Sequence, residues 1–416
     1  MVKSEDVKMK VAFLTLGCKL NYAETSTYAR AFAEAGNEIV PWREKADLYV
    51  INTCSVTEIS DSKSRNLIRK AHRINPSARI AVTGCSAQLR RDALERIEGV
   101  SRVFGAEEKQ SLVPEMLGLD SKEKGTFFPA YSTGERTRSF LKVQDGCDNF
   151  CAYCTVPFAR GRSRNQAICG IVREAEAIAA TGVREIVLTG VNTGDFGRST
   201  GESFLDLLKA LNEVEGIERY RISSIEPNLL TDEIINWIAS GSKVLPHFHV
   251  PLQVGTDELL KAMGRRYDTA FFKDKIESIR SALDSPGKAR AFIGIDVMAG
   301  LPGESDELFE RSYRFIESLR PAFIHVFPYS RRPGTRAFDL PGQVSAEAKE
   351  IRVKRLESLC ARLHDEFVQA NRGLPEKVLF ESRNRNGMMS GFTGNYIRIE
   401  RPYDPSLAGK TVDITI

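Results

Sequence analysis

Three cysteines fall within eight residues of the stretch Asp145-Gly-Cys-Asp-Asn-Phe-Cys-Ala-Tyr-Cys154. The C-x-x-x-C-x-x-C spacing of Cys147, Cys151 and Cys154 can bring three thiolates to one metal centre and offers no fourth ligand nearby. With iron and sulfide, such a set holds three corners of a [4Fe–4S] cluster and leaves one iron open to a substrate or cofactor. An open coordination position marks chemistry rather than scaffolding. Two other readings compete. One is a zinc loop completed by a distant His or Cys. The other is a chance group of core cysteines, although Gly146, Asp148 and Asn149 mark a turn and not an apolar run.

Three more cysteines are spread along the first hundred residues. Cys18, Cys54 and Cys85 each lie within two residues of the end of a predicted strand, at 10–16, 47–53 and 79–84. Helical stretches separate these strands: one from about Ala23 to Ala35 ending at Gly36, one ending near Pro76, and one after Cys85. Strands alternating with helices predict a parallel α/β sheet. Open sheets of this kind place ligands at the C-terminal ends of their strands, so the three thiols are expected on one edge. Taken singly, each is equally a half-buried structural cysteine.

The elements around these thiols predict the rest of the α/β architecture. Residues 119–137 are polar, lack periodicity and read as a linker after an N-terminal domain at 1–118. Candidate strands at 139–144, 184–189, 219–225, 247–252, 291–298 and 323–328 alternate with helix-length segments across 138–372. They predict a full or partial parallel (β/α)6 barrel with its site at the strand C-termini. Polar or Gly-rich stretches follow those strands: the Cys147 loop, 189–194, 223–227, 251–255, 299–304 and 328–329. His247 and His249 share one face of their strand by alternation and read as structural. A helix at 345–371 carries Cys360, which, like Cys169 in the helix after the first barrel strand, belongs to no ligand-like cluster. From 373 to 416 short alternating segments between Gly, Asn and Pro turns predict a small β-barrel.

Composition sets the outer bounds. The chain has 416 residues, enough for two or three domains, with 42% hydrophobic and 27% charged residues, as expected of a globular protein. No run approaches a membrane span, the N-terminus is too polar for a secretory signal, and a cytoplasmic location is expected. Eight cysteines in so long a chain form no secreted disulfide pattern. A net charge of +4 is too small to establish a nucleic-acid partner, so any RNA surface has to be local. Candidates are Arg65 and Arg69, on a helix that also carries Lys63, Lys70 and Arg73; Arg160, Arg162 and Arg164; and, with Tyr396, the tail residues Arg383, Arg385, Arg398 and Arg401. A solvated face, internal salt bridging and an interdomain role are the respective alternatives.

The Cys147 loop resembles the cluster loop of radical S-adenosylmethionine (SAM) enzymes, in which an aromatic residue, here Tyr153, precedes the last cysteine. By that resemblance Gly190 and Asn192, in Gly190-Val-Asn192, stand where the family's Gly-Gly-Glu motif binds the SAM amino group, departing from it in the second and third residues. Glu226 matches the ribose contact and 295–304 the segment beside adenine, and Gln253 and Tyr329 complete the implied cofactor set. The whole chain resembles the methylthiotransferases through Leu16-Gly-Cys-Lys-Leu-Asn21, Asn52-Thr-Cys-Ser-Val-Thr57, Thr83-Gly-Cys85, the Cys147 loop, Val156-Pro-Phe-Ala-Arg-Gly161 and Pro251-Leu-Gln253. The tail resembles a TRAM domain, an RNA-binding module.

This resemblance implies two [4Fe–4S] clusters. An auxiliary one on Cys18, Cys54 and Cys85 would carry the sulfur to be inserted, and one on Cys147, Cys151 and Cys154 would cleave SAM to a radical. The implied partners are the anticodon stem-loop of tRNA and an electron donor such as a flavodoxin or ferredoxin; the sulfur donor is not implied. Lys19 resembles the branch that acts on C2 of N6-threonylcarbamoyladenosine beside the anticodon (position 37). The isopentenyladenosine branch tends to have Gln there and the ribosomal-protein aspartate branch Pro. A non-catalytic iron–sulfur or zinc RNA-binding protein, and a radical SAM enzyme using its second cluster for electron transfer only, are the readings from other classes.

Overall fold

The computed structural model describes residues 8–55, 57–119, 125, 127–133 and 136–416. The polar N-terminus at 1–7, Val56 of the second cysteine motif and part of the expected linker (120–124, 126 and 134–135) lie outside the described residues. The chain divides into two compact units. Unit 1 is Met1–Ser132, Phe140–Asp148 and Thr155–Gln166, and unit 2 is Thr133–Ser139, Asn149–Cys154 and Ala167–Ile416.

In unit 1, β1 (Lys10–Thr15), α1 (Lys19–Glu34), β2 (Glu38–Val40), β3 (Leu48–Thr53), α2 (Glu58–Ile74), β4 (Arg79–Gly84), α3 (Cys85–Leu89), α4 (Arg91–Glu95) and β5 (Val100–Val103) form a parallel sheet and its helices. The sheet order is β2-β1-β3-β4-β5. β3 is buried along its whole length, sending Leu48 and Val50 into one apolar cluster and Tyr49 and Ile51 into the other. Burial on both faces explains its unbroken apolar run, each such side chain contributing roughly 1.5–3 kcal/mol.

The structure differs from expectation in two places. Two short strands, β2 and β5, extend the anticipated three. And α1 begins at Lys19, four residues earlier than periodicity predicts, because Gly17 turns the chain at φ +99° and Leu20 and Asn21 are already buried. Cys18 therefore occupies the N-cap of α1. Unit 1 continues with α5 (Leu112–Met116) and α6 (Val156–Arg160), and β6 (Arg138–Lys142) runs across the division.

Unit 2 carries α7 (Ile168–Ala179), β7 (Glu185–Thr189), α8 (Phe204–Asn212), β8 (Arg219–Ile222), α9 (Asp232–Ala239), β9 (His247–His249), α10 (Asp257–Ala262), α11 (Thr269–Leu283), β10 (Phe292–Ala299), α12 (Asp306–Leu319), β11 (Phe323–Pro328) and α13 (Ala346–Ala370). β7 and β8 pair in parallel, as do β9, β10 and β11 in the order β11-β10-β9. The alternation of strand and helix is the one read from the sequence.

The tail adds β12 (Pro375–Phe380), β13 (Met388–Phe392), β14 (Arg398–Pro402) and β15 (Thr411–Thr415), a four-stranded antiparallel sheet of order β14-β13-β12-β15. Its small core is Val378, Phe380 and Met389. Three arginines tie this sheet to β7 and β8. Arg219 and Arg221 donate to Glu185, at 2.6 and 3.1 Å, and to the tail carbonyls of Lys377 and Gly394, at 3.1 and 3.0 Å. Arg138 approaches Glu381 at 3.3 Å. Tyr396, expected on an RNA-facing surface, is turned to another use. It sits at φ +67° before β14, stacked on Phe392 at 4.8 Å beneath the Arg221 guanidinium at 4.7 Å, and so serves this joint.

Candidate active site

The first set of thiols is built at the C-terminal edge of the unit 1 sheet. Cys18 follows β1, Cys54 follows β3 and Cys85 follows β4, as the strand pattern predicts. Asn21, 1% exposed, fixes two of these turns by donating to the carbonyls of Leu16 (2.8 Å) and Thr53 (2.9 Å). Ser86 Oγ donates to the Cys54 carbonyl at 2.8 Å, tying the third turn to the second. Gly17 is required here: a Cβ would lie 2.9 Å from Cys54 Sγ, and φ is positive.

Beneath these thiols lies a buried charge network. Glu24 Oε1 accepts from Lys109 at 2.7 Å, Lys142 at 2.9 Å and Arg160 at 3.3 Å. Asp145 meets Arg160 at 2.8 Å, Lys142 at 2.6 Å and Arg164 at 3.5 Å. Burial opposes ionisation of Glu24, but Lys109, Lys142 and Arg160 outweigh it and hold the carboxyl well below the usual range. Asp145 is likewise held low against its burial by Arg160 and Lys142. Three deeply buried cations face two carboxylates, so positive charge remains beside the thiols. Burial pushes the Cys85 thiol up to about 11, with Arg160 and Lys109 pulling against it.

The Cys147 loop crosses from one unit to the other, with Cys147 in unit 1 and Cys151 and Cys154 in unit 2. On the unit 1 side, Asp145 and Arg164 exchange two backbone hydrogen bonds of 2.9 Å, and Cys147 N donates to Gly161 O at 3.1 Å. A Cβ on Gly146 would meet Arg162 O at 2.0 Å, so only glycine fits. On the unit 2 side, Ala152 N donates to Met263 O at 2.9 Å and Ala152 O accepts from Ala337 N at 2.8 Å.

Arg265 is the hub of the unit 2 half. Its guanidinium donates to Cys151 Sγ at 3.2 Å, Tyr153 Oη at 3.3 Å and Tyr267 Oη at 2.8 Å, and it pairs with Glu226. Tyr267 in turn donates to the carbonyls of Pro251 (2.5 Å) and Leu252 (3.1 Å). Gln253, next along, is held at φ +73°, a strained conformation of the kind that collects at functional sites. Asn192 Oδ1 accepts from Glu226 N at 3.3 Å. The hub thus joins Tyr153, Glu226, Asn192 and the turn before Gln253. Gly190 lies in the loop after β7 and is half-exposed. Tyr329 is 3% exposed after β11, and its hydroxyl has no hydrogen-bond partner among the described residues. Arg265 and Tyr267 were not among the residues expected from the sequence; the cue is polar residues in Gly264-Arg-Arg-Tyr267 directly after an apolar helix end.

The RNA candidates separate. Arg160, expected on an RNA face, is 3% exposed, and its guanidinium bonds Asn21, Glu24 and Asp145; its role is internal because those groups would otherwise be buried uncompensated. Arg164 donates to the carbonyls of Arg160 and Arg162 at 2.5 and 2.9 Å. Arg65 is half-buried on α2, lining a cavity with Arg90. The exposed Arg69 lines another with Arg73 and Arg96. Arg383 and Arg398 are exposed on the tail, Arg398 paired with Glu400 at 2.6 Å. A cavity of about 760 Å³ in unit 1 is lined by Arg91, Arg160, Arg162, Arg164 and the exposed Phe158.

The donor chemistry fits sulfur-ligated clusters. None of the eight cysteines forms a disulfide, and cationic side chains approach both thiol sets. Among the described residues, no three His, Cys, Asp or Glu side chains stand close enough to share a single ion.

Comparison with known proteins agrees with this geometry. Residues 10–105 match the family model described as Uncharacterized protein family UPF0004, and residues 141–316 match the Radical SAM superfamily. The chain is 38% identical to the threonylcarbamoyladenosine tRNA methylthiotransferase MtaB of Bacillus subtilis (strain 168), across 98% of this chain and 93% of that protein. It is 32% identical to the tRNA-2-methylthio-N(6)-dimethylallyladenosine synthase of Trichlorobacter lovleyi, across 97% and 95%. The radical SAM methyltransferase TsrM of Kitasatospora setae shares the fold, with a TM-score of 0.57 at 15% identity over 92% of this chain and 81% of that one. The chain belongs to the radical SAM methylthiotransferase family.

Within that family it is similar to threonylcarbamoyladenosine tRNA methylthiotransferases, and it is an enzyme of the tRNA methylthiotransferase class. Its cofactors are SAM and [4Fe–4S] clusters. Among the described residues, no helix is long and apolar enough to cross a membrane.

Proposed function

We propose that the protein methylthiolates C2 of N6-threonylcarbamoyladenosine beside the anticodon of tRNA. On this reading Cys18, Cys54 and Cys85 hold an auxiliary [4Fe–4S] cluster, and Cys147, Cys151 and Cys154 hold the one that binds SAM. When bound, these groups supply the sulfur and the one-electron chemistry needed at a carbon that acid–base groups cannot attack usefully. The chain's own residues hold and shield them. Asn21 and Arg160 set the turns carrying Cys18 and Cys54, and Lys109 and Arg160 offset the negative charge of the thiolates. Arg265 orients Cys151 and Tyr153 and carries Glu226. The hydroxyl of Tyr329, and the polar groups of Gly190, Asn192, Glu226 and Gln253, are offered to SAM.

The observation that carries this reading is the gathering of Cys18, Cys54 and Cys85 at one sheet edge over the buried Arg160. A radical SAM enzyme that used this second set for electron transfer only would leave no sulfur in its product, which separates that reading from this one. Substrate choice rests on the near full-length similarity to threonylcarbamoyladenosine methylthiotransferases, at 38% and 35% identity. The tail sheet is read as a TRAM-like RNA-binding module, with Arg383 and Arg398 toward the anticodon stem-loop. Reduction is assigned to a small electron carrier of the flavodoxin or ferredoxin kind.

The test is nucleoside mass spectrometry after anaerobic incubation of reconstituted protein with SAM, reductant and tRNA bearing N6-threonylcarbamoyladenosine, with isopentenyladenosine tRNA in parallel. A 2-methylthio product from the first alone is the expected result. Product from the second alone would keep the chemistry and overturn the substrate.

A further inference from the structure

The β9–β11 sheet of unit 2 has two unlike faces. On one, Phe248, Ile293, Ile295, Val297 and Ile324 are each at most 3% exposed. They form the apolar side, where Ile324 N also donates to Cys360 Sγ of α13 at 3.2 Å. The other face follows from the register. Gly294 lies opposite both His249 and Phe323, Asp296 opposite His325, and Met298 opposite Phe327. Alternation puts all of these on the same side.

That side carries a ladder of rings. The Phe323 and His325 ring centroids are 4.7 Å apart, and those of His249 and His325 are 4.9 Å apart. His325 and Phe327 are within 15° of parallel at 6.5 Å. Asp296 fixes the His249 ring through a 2.9 Å contact to Nε2. β11 is an end strand of its sheet, and its upper rungs are open, with His325 exposed and Phe327 43% exposed. Phe327 stands two residues before Tyr329, at the strand end where the barrel rim begins.

A core does not leave its aromatic rungs exposed next to a site. A reaction at a ring carbon of an RNA base needs that base out of its own stack, and proteins compensate an unstacked base with aromatic platforms. We infer that the purine to be modified stacks on His325 and Phe327, with His249, held by Asp296, completing the platform. This rests on the proposed tRNA reaction and names the protein surface that receives its substrate base.

The experiment uses the full-length, cluster-loaded enzyme and a stem-loop RNA with 2-aminopurine at the target position. Its amino group occupies the carbon that the reaction modifies, and its fluorescence reports stacking. Wild-type enzyme is expected to change that fluorescence on binding. His325→Ala and Phe327→Ala should abolish most of the change and raise KM for threonylcarbamoyladenosine RNA about ten-fold, the worth of one base–aromatic stack. RNA-independent SAM cleavage should be unchanged, and His325→Phe should retain the fluorescence response. A full response and an unchanged KM in both alanine variants would overturn the inference. Should wild-type enzyme bind the probe with a ladder-dependent response yet leave threonylcarbamoyladenosine unmodified, the platform stands and the substrate assignment fails.

Discussion

Arg160 donates through Nη2 to Asn21 Oδ1 at 2.5 Å, while its Nη1 meets Asp145 and Glu24. Asn21 spends its own amide protons on the carbonyls before two candidate cluster ligands. One buried arginine therefore links the charge balance of unit 1 to the placement of Cys18 and Cys54.

Arg160→Met should cost about 3–5 kcal/mol of stability, because it strands part of a buried carboxylate pair. Asn21→Ala should cost less, about 1–3 kcal/mol, but should lower iron bound per chain after anaerobic reconstitution. Denaturant unfolding and iron analysis on the same samples check both. Unchanged iron in Asn21→Ala would count against a ligand-positioning role.

Glu24 gives the network a pH signature. Its folded pKa lies below the unfolded carboxylate value of about 4.3. Its contribution is therefore present above that value and is lost as pH falls from there toward the folded pKa. The groups facing it are Lys109, Lys142, Arg160 and Asp145. Urea midpoints followed from neutral to acid pH should fall more steeply for wild type than for Glu24→Gln in that window. Parallel curves would contradict the assignment.

Arg265→Ala removes donors to Cys151, Tyr153 and Tyr267 together with the partner of Glu226. Loss of charged hydrogen bonds worth about 1.5–3 kcal/mol each predicts at least a ten-fold fall in SAM-dependent 5′-deoxyadenosine formation. Arg265→Lys should recover only part, since one ammonium cannot reproduce the planar fork. Cleavage at the wild-type rate in Arg265→Ala would remove the hub from the account.

Where the tail sheet meets β7 and β8, Arg221→Met should leave Glu185 short of a partner and free the carbonyl of Gly394. A loss of about 3–5 kcal/mol is expected, with the tail sheet becoming the first target of limited proteolysis. Tail fragments no faster than in wild type would show that Arg219 and Arg138 suffice.

Much of this architecture could be read from the chain because apolar runs and turn residues report burial directly. The β1, β3 and β4 strands and their cysteines fall where periodicity puts them, as do the six strands from β6 to β11. The missed pieces have physical causes. β2 and β5 are only 3 and 4 residues long, too short for a pattern. The start of α1 was hidden by polar Asn21, which is buried because it is bonded. Arg160 and Tyr396 looked like surface chemistry because a sequence cannot show which cations have buried partners. Arg265 was invisible for the same reason, since its partners at 151 and 153, at 226 and at 267 come from three separate segments of the chain.

The most direct test of the two-site account compares Cys54→Ala with Cys151→Ala in the full-length enzyme. For each, 5′-deoxyadenosine and the 2-methylthio nucleoside are quantified from one anaerobic reaction with threonylcarbamoyladenosine tRNA. The account predicts that Cys151→Ala abolishes both, whereas Cys54→Ala abolishes the thiolated product and retains SAM cleavage. Equal loss of both products in both folded variants would contradict it.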